Sequence, residues 1–125
     1  MHRFNSVCII THDVRRLREF YEAALQAQAG GDDEFSYFTT GGVALSLYTR
    51  RGMEQMAPHC MDGAGADNCV LEFGVEDVDR EYERLVQMGV PIAKPPTTQV
   101  WGIRSVWFRD PDGNLVNFNA PVGEG

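Results

Sequence analysis

The chain has 125 residues, 43% hydrophobic and 23% charged, a composition that excludes a disordered or fibrous polypeptide and is expected to bury roughly two-thirds of its unfolded surface around one core. Eleven Lys and Arg against eighteen Asp and Glu leave a net charge of −7, which repels phosphate backbones and anionic headgroups and argues against nucleic-acid and membrane partners. The early apolar run Val7 to Ile10 is too short for a membrane span or signal peptide, and Cys8, Cys60 and Cys69 stand in no CxxC spacing, so a single cytoplasmic domain over residues 1–125 with reduced thiols is expected.

In chain order, a strand beginning at Val7 runs into the pair Asp13-Val14. Helical spacing follows in Val14, Leu17, Tyr21 and Leu25, with Asp13 placed as the N-cap and Gly30-Gly31 placed to end the helix. Strands are predicted over Phe35 to Thr39 and Val43 to Thr49, divided by Gly41-Gly42, and a further strand of this half must be short or lie within Gln28 to Phe38. Arg50 to Asp67 shows no clear period and reads as a linker. Within it, Met53 and Met56 stand three apart, a spacing that suits one helical turn packed on the fold better than a flexible cover for a ligand. The second half opens on a strand from Leu71, then Asp77 as N-cap, helical spacing in Val78, Tyr82, Leu85 and Met88, and Gly89 as the stop. Strands are predicted over Pro91 to Lys94, Arg104 to Phe108 and Leu115 to Asn119. The last two are joined by Asp110-Pro-Asp-Gly-Asn114, whose Pro and Gly suit successive turn positions.

The two halves repeat. Val7-Cys-Ile-Ile-Thr-His-Asp-Val14 aligns with Leu71-Glu-Phe-Gly-Val-Glu-Asp-Val78 at an offset of 64, and Gly42 to Leu47 aligns with Gly113 to Phe118 at an offset of 71. The plan is an α+β fold of two βαβββ modules, module one over about 3–50, a linker over about 51–67 and module two over about 68–122.

Strand, Asp13-Val, Phe20-Tyr21, then Val75-Glu-Asp-Val-Asp79 and Phe108-Arg-Asp-Pro-Asp-Gly-Asn114 together resemble the vicinal oxygen chelate superfamily of glyoxalases, bleomycin-resistance proteins and extradiol dioxygenases, over roughly residues 3 to 122. The resemblance implies a half-open eight-stranded barrel, the glyoxalase/bleomycin-resistance fold, assembled as a homodimer. In metal-binding relatives the first and last strands of each module carry the ligands. Those positions fall on Ser6, Ser46, Val70 and Asn117, which offer no carboxylate or imidazole to compete with water for a divalent ion. No metal and no cofactor is therefore expected, and the family's Lewis-acid chemistry looks closed.

Strand parity separates two faces. One carries Val7, Ile9, Val43, Leu45 and Leu47 in module one, and Cys69, Leu71, Phe73, Val75, Val116 and Phe118 in module two, an apolar bed for the helices. Phe73→Ala is expected to cost roughly 3 to 5 kcal/mol if that side chain is fully buried. The other face mixes Ser6, Cys8, Ser46 and Tyr48 with Val70, Glu72, Asn117 and Asn119, which fits a ligand cup better than a core or a solvated surface. Glu72, its one carboxylate, reads as a ligand contact, as a weak candidate for an acid or base, or as a partner for an arginine. Phe35 and Tyr37 share a parity and with Tyr48 read as a pocket wall or as ordinary sheet packing. Trp101 reads as a pocket rim, and Arg104 between Trp101 and Trp107 as a group that stacks on a flat ligand. His12 reads as a surface residue, and His59 and Cys60 lack the setting for catalysis or chelation. The reading is a metal-independent protein similar to bleomycin-resistance members, holding a planar or amphipathic organic ligand. The alternative is a glyoxalase-like lyase or isomerase, or a dioxygenase-like enzyme, with a displaced site.

Overall fold

Two aspartates start the two long helices. The Asp13 side chain accepts from the Arg16 amide at 3.0 Å and Asp77 from the Arg80 amide at 3.1 Å, each satisfying a first-turn donor that the helix itself leaves unpaired. In the computed structural model, which describes residues 3–63 and 69–122, these helices belong to two compact units, Met1–Ala64 and Gly65–Gly125.

Unit one runs β1 (Ser6–Thr11), α1 (Val14–Leu25), β2 (Gly30–Gly31), β3 (Phe35–Phe38), β4 (Ala44–Thr49) and α2 (Arg50–Met56). Its sheet has the order β1-β4-β3-β2, with β1 and β4 parallel and the other pairs antiparallel. Unit two runs β5 (Val70–Gly74), α3 (Val78–Gln87), β6 (Ile92–Thr98), β7 (Ile103–Arg109) and β8 (Leu115–Pro121), in the order β5-β8-β7-β6. The two sheets have the same connectivity, strand for strand, as the sequence repeat requires. α1 and α3 each lie on the apolar face of their own sheet: Val14, Leu17, Tyr21 and Ala24 are buried with Phe38, Leu45 and Leu47, and Val78 and Leu85 with Val106, Phe108, Val116 and Phe118.

Several expectations need correction. Gly30-Gly31 does not end the first helix. The helix stops at Leu25, and Gln26 takes the left-handed cap conformation at φ 52° while the Ala27 amide donates to the Glu22 carbonyl. Gly30–Gly31 is instead the further short strand, β2, paired with Tyr37 and Ser36. Gly31 is needed there because its φ is +92° and a Cβ would stand 2.1 Å from the Phe35 carbonyl oxygen. Since a glutamine is held where glycine costs least, Gln26→Gly is expected to raise stability by about 0.5–1 kcal/mol. A higher urea midpoint at unchanged m-value would show it, and an unmoved or lower midpoint would refute it.

The expected linker begins as a helix, because Thr49 at the end of β4 caps α2 by accepting from the Gly52 amide at 3.0 Å. Met53 is partly buried and Met56 is 65% exposed, so only the first packs. Residues 64–67 of the linker lie outside the described residues. β6 continues past Lys94 through Pro95 and Pro96, with two register shifts against β7. It is an edge strand, where a missing amide donor and a bulge are tolerated. Val43 and Cys69 are exposed and fall outside the strands, so they leave the apolar set. Phe73 is only partly buried.

Candidate functional site

In unit two the hairpin turn sets the register. The buried Asp110 carboxylate accepts from the Asp112 and Asn114 amides at 2.9 and 2.8 Å and from the Asn114 side chain at 2.8 Å, and Gly113 turns the chain at φ +88°. Arg109 then faces Leu115, Trp107 faces Asn117 and Ser105 faces Asn119. Across β8, Glu72 of β5 faces Asn117 and Gly74 faces Asn119. The parity of the strands therefore assembles a grid on the side away from α3, with Asn117 between Glu72 and Trp107, and Asn119 between Ser105 and the bare Gly74.

This grid floors a depression of about 280 Å³. Glu72, Asn117, Asn119 and Ser105 supply its polar lining, Trp107, Trp101 and Ile103 its apolar lining, and Gln99 completes it. The Asn119 amide nitrogen donates to the Asn117 side-chain oxygen at 2.7 Å, which locks the two amides together. Trp101 stands at the β6–β7 hairpin tip, 70% exposed, held by a tight turn in which Gly102 takes φ +86° and its amide donates to the Gln99 carbonyl at 3.0 Å. Lys94 places its ammonium 5.4 Å from the Trp107 ring centroid, a cation–π contact that steadies the indole. Glu72 is the one carboxylate of the lining, exposed, and without a hydrogen bond or ion pair among the described residues.

Of the residues expected at the ligand face, Glu72, Trp101, Asn117 and Asn119 come together here. Val70 is exposed at the start of β5, opposite Leu115. Arg104 departs from expectation. It alternates with Ile103 and Ser105, so it projects to the helix side, where its guanidinium grips the Asp79 carboxylate of α3 through two bonds of 2.8 Å and donates to Thr98. That grip lowers the Asp79 pKa and raises that of Arg104. A carboxylate held below its unfolded value favours the fold above that value and loses the contribution as the pH falls through the folded pKa. Arg104 is thus a strut between sheet and helix, removed from the stacking role.

Ser105, Ile103 and Gln99 were not singled out as ligand contacts, and Trp107 was named with Trp101 as an aromatic pair for a flat ligand but left open against core or interface packing. Trp107 and Ser105 were legible: pairing outward from the Asp110–Asn114 turn places them opposite Asn117 and Asn119. Gln99 was not, because the bulges in β6 break the count.

In unit one the corresponding face carries Ser6 and Cys8 of β1, both exposed, with Cys8 opposite the buried Ser46 of β4. Partial desolvation of its sulfur raises the Cys8 pKa above the ordinary thiol value. Phe35, Tyr37 and Tyr48 stand beside them, Phe35 in edge contact with Tyr48 at 5.6 Å and 6.2 Å from Tyr37. His12 is exposed, and His59 pairs with Asp62 at 3.3 Å in a solvent-exposed turn.

The metal that the resemblance implies does not fit this donor set. Ser6 and Ser46 offer neutral hydroxyls, Asn117 an amide already bonded to Asn119, and Val70 no lone pair at all. A divalent ion gains too little from such groups to give up its water.

The sequence profile described as Glyoxalase/Bleomycin resistance protein/Dioxygenase superfamily matches residues 3–118. The uncharacterized protein YraH of Bacillus subtilis (strain 168) is 30% identical over 115 residues, covering 86% of this chain and 90% of that protein. A protein of unknown function from Agrobacterium tumefaciens str. C58 superposes at a TM-score of 0.81 with 26% identity, covering 98% of this chain and 96% of that one. A glyoxalase/bleomycin resistance protein/dioxygenase family enzyme from Burkholderia phytofirmans PsJN superposes at 0.86 over 97% of this chain and all of that one, at 19% identity, a likeness of fold. With two four-stranded sheets of duplicated topology and three helices among its described residues, the chain belongs to the glyoxalase/bleomycin resistance protein/dioxygenase superfamily.

Proposed function

We propose that the protein binds a planar, amphipathic organic compound, neutral or cationic, without a metal, and that the depression of the second module is where that compound sits. The observation that carries this reading is the carboxylate of Glu72, without a partner among the described residues, in the same 280 Å³ hollow as two indoles and two asparagines. Stacking on Trp101 and Trp107 supplies non-directional affinity, while Asn117, Asn119 and Ser105 orient polar edges. The net charge of −7 favours approach of a cation over that of an anion. The half-open barrel, the homodimer and the cytoplasmic location implied earlier belong to this proposal too. Among the described residues no helix is long and apolar enough to cross a membrane.

Two flat dyes test the reading by tryptophan quenching: proflavine, which is cationic, and acridone, which is uncharged. Trp101→Ala is expected to weaken both by about tenfold. Glu72→Gln is expected to weaken proflavine by about five- to tenfold and to leave acridone unchanged. Both side chains are exposed, so the melting temperature should stay put in each variant. No binding of either dye, or binding indifferent to both substitutions, would overturn the proposal.

A further inference from the structure

One line of cross-strand partners crosses the second sheet from edge to edge. Glu72 of β5 pairs with Asn117 of β8, Asn117 with Trp107 of β7, and Trp107 with Lys94 of β6. Partners in register project to the same side of a sheet, so an acid, an amide, an indole and an ammonium stand in a row on the side away from α3. The first three line the hollow. Lys94 closes the row at the far edge, its Nζ 5.4 Å from the Trp107 ring centroid.

The two ends carry opposite charge and do not pair with each other. Three strand spacings put the Glu72 and Lys94 backbones about 14 Å apart. Both side chains are exposed, and among the described residues neither has a hydrogen bond or an ion pair. Other basic groups of this module are held elsewhere: Arg84 pairs with Glu81, Arg104 with Asp79, and Arg109, in phase with Trp107, donates to the Gly113 carbonyl at the turn end of the strand. Beside the charged row runs one of small residues, Gly74, Asn119, Ser105 and Thr97. A Cβ placed on Gly74 would meet nothing within 4 Å, so a flat body has room to lie lengthwise from Glu72 to Lys94.

We propose that Lys94 is a specificity residue for the hollow of the second module, and that the compound it selects is amphoteric: flat, neutral overall, with a cationic group over Glu72 and an acidic group beside Lys94. This rests on the binding reading above and narrows it. The field of the whole chain opposes such a choice, because a net charge of −7 favours a bare cation over one that also carries a carboxylate. A preference for the added carboxylate therefore has to come from a local cation. The plainer role of Lys94, a charge that guards an edge strand against pairing with another chain, gives no such preference.

Two biphenyls probe this by calorimetric titration: one with a para amidinium, and the same compound with a carboxylate at the opposite para position. Wild-type protein is expected to bind the second about fivefold more tightly than the first. Lys94→Gln should bring the ratio to about one, and Lys94→Arg should restore it. Lys94 is exposed on an edge strand, so both variants are expected to fold. Losing the cation–π contact weakens both probes alike, so the ratio reports the charge and not the steadying of the indole. Glu72→Gln should weaken both probes by one factor and leave the ratio as it was, because both carry the amidinium.

A wild-type ratio of about one, or a ratio that survives Lys94→Gln, overturns the proposal while the binding reading stands on the two dyes. Wild-type protein that binds proflavine and neither biphenyl has the same meaning. Protein that binds neither the dyes nor the biphenyls overturns the binding reading, and this inference falls with it.

Discussion

Phe118→Ala is expected to lower the stability of the protein by about 3–5 kcal/mol, the range for truncating a fully buried aromatic side chain. Phe118 is 1% exposed on the central strand of the second sheet and meets Phe108 edge-on at 4.8 Å and Phe73 at 5.9 Å. Its removal opens a void between two rings that cannot both collapse into it, since Phe108 is itself fully buried and held in β7. For a domain of ordinary stability, about 5–15 kcal/mol, the loss is a large fraction of the whole. Chemical denaturation with the m-value unchanged is the measurement. Phe73→Ala serves as the control: because Phe73 is only partly buried, its loss should fall below that of Phe118, contrary to the value expected for a buried ring. Equal losses for the two, or a Phe118 variant as stable as wild type, would place the core elsewhere.

The second large effect is expected at the β7–β8 turn. Asp110→Ala should destabilise by about 2–3 kcal/mol, because the two amides and the side-chain amide that Asp110 satisfies lose a charged acceptor whose own side chain is buried beneath the turn. The consequence reaches the site. Register in β8 is set by this turn, and a slip of one residue would carry Asn117 and Asn119 to the helix side and Val116 and Phe118 to the ligand side. Asp110→Ala is therefore expected to weaken proflavine binding as well as to lower the melting temperature, although it lines no part of the depression. Unchanged stability would show that the turn is held by its glycine and proline alone.

Some of this was legible in the residues, for reasons that can be named. The duplication was readable because each module repeats a strand, an N-capping aspartate and an amphipathic helix at constant spacing, and the sheets reproduce that order. The face assignment was readable because strand parity is strict: Leu45, Leu47, Val116 and Phe118 are buried beneath the helices, and Glu72 stands on the opposite face. Arg104 was misplaced for want of the same rule. Its flanking tryptophans suggested stacking, but it stands one residue out of phase with Trp107 and Ser105, and an aspartate twenty-five positions earlier in the chain takes its charge. Gly30-Gly31 was misread because glycine serves both helix stops and tight strand reversals, and only the place of the Phe35 carbonyl distinguishes them.

The residues by themselves determined the modules, the caps, the turn at Asp110–Asn114 and the absence of strong metal donors at Ser6, Ser46, Val70 and Asn117. These are matters of local spacing and of side-chain chemistry, which a chain carries before it folds. Only the tertiary structure decided that Trp101 and Trp107 share a hollow with Glu72 and that Arg104 is bound to Asp79. Each of those depends on which segments are neighbours in space, and pairing across bulged or distant strands leaves no periodic trace in the sequence.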